Sequence, residues 1–198
     1  MAGLADVFQI MNWMRACYYP WLALLIVWII AALRTKPAVY REKLAASLGY
    51  RALTVIAYVL LFDERLGIGF LGMRFWPPSA VVGCIGFAMT VLGIAFAIWA
   101  RFFLGGNWSA MVTVKRNHEL VRNGPYAIVR HPIYSGISLA ALGTALAVGQ
   151  VRGFVAVVLS VIAWRMKWGV EEMLMSQQFG EQYADYKRHV NALIPGIW

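Results

Sequence analysis

Charge is scarce in this chain: nine acidic and eighteen basic residues make up only 14% of its 198 residues, while 61% are hydrophobic. Soluble domains carry roughly a quarter charged residues, so this scarcity excludes an ordinary soluble fold and indicates an integral membrane protein. Cysteine is nearly absent too. Cys17 and Cys84 stand apart in or beside apolar stretches, with neither a disulfide framework nor metal-ligand spacing. Three separate histidines make a poor metal site, and no metal is expected. The chain lacks a glycine-rich dinucleotide fingerprint, a phosphate-binding loop and a paired-histidine zinc motif. Ser135 follows His131 by four residues without an orienting acid or an oxyanion hole, so it reads as a small residue packed between membrane helices. The N-terminal residues lack a signal-peptide pattern, and the C-terminal ones lack a lipidation motif.

What is present falls into about five apolar blocks, at 18–33, 48–62, 79–104, 132–149 and 153–170. Each reads as helix, because an open strand edge cannot be satisfied in lipid. Several fall short of the roughly 20 residues that span a bilayer, which predicts tilt, interfacial ends or partly re-entrant segments. The expected architecture is an all-α polytopic protein of one domain, 1–198. A three-helix membrane frame occupies 1–104, and the functional part occupies 105–198. Pro77 and Pro78 close the loop before the third block, and Asn123-Gly124-Pro125 marks a turn before the fourth. The connection from Gly149 to Gly153 is so short that the last two spans must form a helical hairpin. Beyond it, Met173, Leu174, Phe179, Tyr183 and Tyr186 alternate with charged residues, predicting an amphipathic C-terminal helix along the membrane boundary.

The net charge of +9 is explained by its location. Arg34, Lys36, Arg41, Lys43 and Arg51 separate the first two blocks, and Lys115, Arg116, Arg122 and Arg130 separate the third and fourth. By the positive-inside rule both loops are cytoplasmic, which puts the N-terminus outside and the C-terminus in the cytosol. Topology and attraction to anionic membrane lipids account for the basic excess without nucleic acid. A multi-pass protein of a prokaryotic cell membrane is expected.

The polar residues gather at the cytosolic ends of the last two blocks. Arg130, His131 and Tyr134 crowd a helix start that Pro132 favours, and the helix there presents its positive dipole end with N–H groups able to receive an anion. Across the hairpin Lys167 and Glu171, four residues apart, share a helix face, with Glu172 beside them. Ionisable residues at that depth mark a functional site. Upstream, His118-Glu119-Leu120-Val121 leads to Tyr126 as a lid or wall.

His118, Leu120 and Val121, then Gly124 and Tyr126, then Arg130-His131-Pro132, Tyr134 and Gly136, then Glu171-Glu172, then Phe179-Gly180, Tyr183, Tyr186 and Pro195 follow one another in an order and spacing that resembles the isoprenylcysteine carboxyl methyltransferase family. Members are small integral-membrane enzymes that use S-adenosyl-L-methionine. The resemblance implies a cytosol-facing cofactor wall of His118, Glu119, Leu120, Val121, Tyr126, His131, Pro132, Ile133 and Tyr134. It also implies a catalytic pair, Lys167 and Glu171. Eukaryotic members are expected to carry arginine at the basic position, and lysine gives up the planar two-pronged grip on a carboxylate. Methyl transfer from a sulfonium is an in-line displacement, so the protein chiefly orients and shields its reactants. Tyr126 or Tyr134 suits the cation by its ring face. A carboxylate acceptor needs no base and would be positioned by Lys167; an amine or thiol would need Glu171 or His131 as base. The lipophilic acceptor, a prenylcysteine-type carboxylate, an isoprenoid acid, a phospholipid amine or a small thiol, would enter from the bilayer. Two other readings stand beside this one: an NADPH-dependent membrane reductase and a non-catalytic binding or assembly protein.

Overall fold

The computed structural model describes residues 4–33, 38–41, 44–108, 113–115 and 120–197. His118 and Glu119 lie outside the described residues, as do Arg34, Lys36, Lys43 and Arg116 of the basic loops. In chain order the elements are α1 (Leu4–Ala32), β1 (Ala38–Arg41), α2 (Leu44–Phe62), a 3-10 turn (Glu64–Leu66), α3 (Gly69–Gly72), α4 (Ala80–Leu104), a second 3-10 turn (Gly105–Asn107), β2 (Thr113–Lys115), α5 (Pro125–Ile128), α6 (Pro132–Val148), α7 (Val151–Phe179) and α8 (Glu181–His189).

Among the described residues four helical segments are long and apolar enough to cross a bilayer: Asn12–Ala32, Leu44–Phe62, Ala80–Leu104 and Val151–Phe179. The fifth, α6, has 17 residues. At 1.5 Å per residue that is about 25 Å, short of a hydrocarbon core of about 30 Å. The shortfall goes with its position. Helix α6 is the hub of the bundle, packed on α4 and α7 and touching α1 and α2, so neighbours rather than lipid surround most of it. By contrast, α1 turns Leu22, Leu25, Ile26, Ile29 and Ile30 outward, an apolar face that suits lipid and would not suit water.

The α4–α6 seam is built from small residues. A Cβ placed on Gly93 would sit 2.4 Å from the Gly136 carbonyl oxygen, and one on Gly86 would sit 2.5 Å from that of Gly143. The reciprocal substitutions clash in the same way, so the two antiparallel backbones touch at two places. Between them the Thr90 and Thr144 hydroxyls lie 3.2 Å apart, so that one donates across the seam while the other donates to its own helix, to Gly86 or Ala140 at 2.9 Å. From α1 the Trp21 indole donates to Thr144 Oγ1 at 3.0 Å. Close approach and shared hydroxyls replace the hydrophobic drive that lipid cannot supply.

Three arginines cap helix ends. Arg152 donates to the carbonyls of Leu60 and Leu61 at 2.8 and 3.0 Å, closing α2. Arg101 reaches Ala31 at the end of α1 (2.8 Å) and Gly105 after α4 (2.9 Å), and Arg74 reaches Val148 at the end of α6 (2.8 Å). Each satisfies carbonyls with no intrahelical partner and meets the negative end of a helix dipole. Arg74 and Arg152, at the end of the bundle away from the two basic loops, therefore serve the interior.

The hairpin turns at Gly149, whose φ of 67° lets it cap α6, and α7 begins two residues later. The α2–α4 connection laces onto this turn: Phe75 N–H donates to the Gly149 carbonyl (3.1 Å) and Val151 N–H to that of Met73 (2.9 Å). At the opposite end, β1 and β2 pair antiparallel, Arg41 opposite Thr113, a small ribbon added to the expected helical frame. This ribbon ties together the two loops that carry half of the basic residues. Helix α7 then runs unbroken to Phe179, so the segment after residue 170 prolongs the span before the chain bends at Gly180 into α8. Helix α8 buries Tyr183 and Tyr186 and leaves Lys187, Arg188 and His189 exposed.

Candidate active site

The ribbon end of the bundle brings together the start of α6, the last turns of α7, and α8. Pro132 occupies the first turn of α6, where its missing N–H costs nothing, and His131 precedes it. The chain after α8 folds back over this start. Arg130 N–H donates to the Asn191 carbonyl (2.8 Å), His131 N–H to that of Ala192 (3.0 Å) and the Ser135 hydroxyl to that of Leu193 (2.6 Å). Some of the N–H groups expected to face an anion are thus taken by the chain itself. Ser135 is a strap anchor, bonded to backbone rather than to a catalytic partner.

Glu172 is the electrostatic hub. Its Oε1 accepts from Arg130 Nε at 2.8 Å and lies 3.1 Å from His131 Nε2, while its Oε2 is 3.1 Å from Lys187 Nζ. The Arg130 guanidinium also donates to the Val190 carbonyl. One carboxylate, with its side chain 13% exposed, therefore joins α6, α7 and α8. Its neighbour Glu171 is more open, 26% exposed, and accepts a hydrogen bond from the Tyr134 hydroxyl at 2.6 Å, with His131 Nδ1 3.8 Å away.

Rings fill the space beneath. Trp164 stacks on Tyr134, with centroids 5.1 Å apart and planes 12° apart, and Trp168 stacks on His131 at 5.6 Å and 16°. The Lys167 ammonium lies over the Tyr134 ring, 5.6 Å from its centroid. Residues 164, 168 and 171 recur at the spacing of one helix face, which is why α7 presents them together. Further out, Tyr126 is buried on α5, and its carbonyl accepts from the Tyr186 hydroxyl at 2.5 Å. Burial raises the Tyr126 phenol pKa well above the ordinary range, with the Glu171 charge adding to the shift; this phenol stays protonated at neutral pH and is no base.

Of the residues singled out from sequence, the structure brings His131, Tyr134, Lys167 and Glu171 into one cluster, with Ile133 packed against it and Pro132 buried at the start of α6. Tyr126 is joined to the cluster through α8. Leu120 and Val121 are half-buried ahead of α5. Sequence reasoning passed over Glu172 as a hub, Lys187, both tryptophans and the strap. The i, i+4, i+7 spacing of Trp164, Trp168 and Glu171 was a readable signal. The strap left none, because backbone carbonyls carry no sequence signature.

Fold and site together define a polytopic helical membrane protein with an ionisable, ring-lined cluster at one end of a buried hairpin. A family model described as phospholipid methyltransferase matches residues 81–182, from the first turn of α4 into α8 and across the whole cluster up to Glu172. The chain belongs to that family. Among curated relatives, protein-S-isoprenylcysteine O-methyltransferase B of Arabidopsis thaliana is 30% identical over 117 residues, covering 57% of this chain and 58% of the relative. The Mus musculus protein-S-isoprenylcysteine O-methyltransferase is 31% identical over 131 residues, covering 62% and 46%. The chain thus spans about half the length of the curated relatives it matches. A solved structure of the eukaryotic intramembrane Ras methyltransferase, isoprenylcysteine carboxyl methyltransferase, superposes with a TM-score of 0.52 at 24% identity, covering 75% of this chain and 53% of that one. That likeness establishes a shared fold. These relatives are methyltransferases by name and not reductases.

Proposed function

We propose that the chain is a membrane-embedded methyltransferase that moves a methyl group from S-adenosyl-L-methionine to the carboxylate of a prenylcysteine-type acceptor drawn from the bilayer. The observation that carries this reading is the pairing of Glu171, held by the Tyr134 hydroxyl at 2.6 Å, with Lys167, whose ammonium lies 5.6 Å from the centre of the same ring. A fixed anion, a cation and an aromatic face meet where the polar end of the bundle gives way to its apolar core.

The residues fit a sulfonium donor. The Tyr134 face already accepts one onium group, that of Lys167, which is the property needed to hold another. When bound, the donor supplies a methyl group on positively charged sulfur, for in-line transfer to a nucleophile. In this reading Tyr126 and Tyr134 hold the cation. His131, Pro132, Ile133, Leu120 and Val121 wall the site against water. Lys167 orients the acceptor anion by charge, and Glu171 fixes the Tyr134 hydroxyl and balances the cations around it. A carboxylate is ionised at neutral pH, so Glu171 positions here and takes no proton; an amine acceptor would make it the base.

The proposed orientation has the N-terminus outside and the site in the cytosol. It is supported by the basic loops that the β1–β2 ribbon ties together and by the turning of Arg74 and Arg152 into the interior. We place the protein in a prokaryotic cell membrane, a reading that the lysine at position 167 supports.

The test uses the full chain in lipid nanodiscs with labelled S-adenosyl-L-methionine, offered an N-acyl S-prenylcysteine or phosphatidylethanolamine. Calorimetry with S-adenosylhomocysteine and NADPH runs beside it. Micromolar binding of S-adenosylhomocysteine and a base-labile methyl ester on the prenylcysteine are expected. Label on phosphatidylethanolamine alone moves the acceptor to an amine, and tight binding of NADPH alone overturns the reading.

A further inference from the structure

Among the described residues few buried polar side-chain atoms are left without a hydrogen-bond partner, and two of them flank the cluster: Trp164 Nε1 on α7 and Ser138 Oγ on α6. Ser138 stands one turn beyond Tyr134, on the same side of its helix by spacing. Trp164 stacks on Tyr134 itself. An indole N–H is a donor only, and a buried donor without an acceptor costs the fold free energy that the rest of the protein must offset. Such a group calls for a functional explanation.

Its position supplies one. Trp164 packs both against the apolar core of Leu24, Ile94, Ala97, Ile137 and Ala140 and against the site cluster of Tyr134, Trp168 and Leu193. It lies seven residues before Glu171, about 10 Å deeper along α7. A lipophilic acceptor reaching the reaction site from the bilayer must change from tail to head at this level. We propose that the Trp164 indole N–H donates a hydrogen bond to the head group of the lipidic acceptor, and so selects a hydrogen-bond-accepting head, a carboxylate or the carbonyl next to it, over an ammonium head. A protonated amine would set donor against donor. This assignment rests on the methyltransferase reading above and deepens it: Lys167 supplies charge, which attracts any anion, whereas Trp164 supplies a direction.

Trp164→Phe keeps a ring against Tyr134 but removes the donor together with part of the indole's volume, and Trp164→His keeps a ring N–H in a ring no larger than phenylalanine's. Both are compared with the parent in nanodiscs, with N-acyl S-prenylcysteine as the probe. For the phenylalanine variant KM for the probe should rise about tenfold or more, the loss expected for one donor to a charged acceptor. The dissociation constant for S-adenosylhomocysteine should stay within twofold. Both variants give up indole volume, so the thermal midpoint without ligand should be similar in the two, and the KM difference between them reports the N–H rather than packing. The histidine variant should recover part of the affinity. An unchanged KM, or a rise in KM matched by weaker S-adenosylhomocysteine binding and a lower midpoint, overturns the assignment and leaves Trp164 as packing. If the parent does not methylate the probe at all, the prenylcysteine reading fails, and the head-group assignment with it. That outcome differs from a parent that methylates and a phenylalanine variant that matches it.

Discussion

Helix α6 is held on one side by the absence of side chains and on the other by an abundance of them. Toward α4, Gly136 and Gly143 bring backbone against backbone and leave no room for a methyl group. Toward α7, only two residues away, Tyr134 meets two tryptophans, a lysine and a carboxylate. The seam has one arrangement, since close-packed backbones cannot slide without clashing. The polar side is made of long side chains joined by charge, which can regroup around a ligand. The difference suggests a division of labour: the seam fixes where Tyr134 and His131 stand, and the cluster decides what they hold.

The sharpest way to break this comparison is to fill the seam. Gly136→Leu would put a side chain where a Cβ alone is 2.5 Å from the Gly93 carbonyl, so no monodisperse protein is expected on size exclusion in mild detergent. A folded variant with the parent's thermal midpoint would show that the seam can yield. On the polar side, adjacent acids should separate. Glu172→Gln leaves Arg130, His131 and Lys187 without their shared counter-charge, and should cost about 3 kcal/mol in denaturant unfolding. Glu171→Gln should leave stability within about 1 kcal/mol. Its turnover should nevertheless fall about a hundredfold, the size of loss a misplaced acceptor gives, at nearly unchanged S-adenosylhomocysteine affinity. Equal losses of stability at both positions would merge hub and site into one structural cluster.

The seam and the cluster were unequally legible in the sequence. The helical frame could be read because lipid leaves the backbone few options, and the hairpin because its turn is too short for anything else. The seam's glycines looked like ordinary membrane-helix residues, since close approach depends on which helix lies opposite. Tyr134 with Glu171 could be anticipated from motif order. The sharing of Glu172 among Arg130, His131 and Lys187 could not, because it requires α8 to fold back across the start of α6, a consequence of the bend at Gly180 and of backbone bonds from residues 191 to 193. The length of α7 is hidden for a related reason: the charged residues after 170 look like the end of a span, yet Arg130 and His131 before α6 and Lys187 on α8 neutralise Glu172, and the helix runs on to Phe179.

The smallest expected effect tests the link between the cluster and α5. Tyr186 hands its hydroxyl hydrogen to the Tyr126 carbonyl, and burial pushes its pKa up to about 12, with Arg130 pulling the other way and Glu172 adding to the rise. A phenol that holds its proton more tightly when folded stabilises the fold fully below its unfolded value of about 10. That contribution is lost as pH climbs through about 12. Tyr126 and Tyr183, also raised by burial, add slopes of the same sign, so only the difference from a variant isolates Tyr186. Tyr186→Phe should cost about 1 kcal/mol at pH 8, the net worth of one neutral hydrogen bond. Between pH 10 and 11.5 its unfolding free energy should fall less steeply than the parent's, bringing the two curves together. Parallel curves across that range would mean that the hydroxyl is solvated and that α8 is held to α5 by ring packing alone.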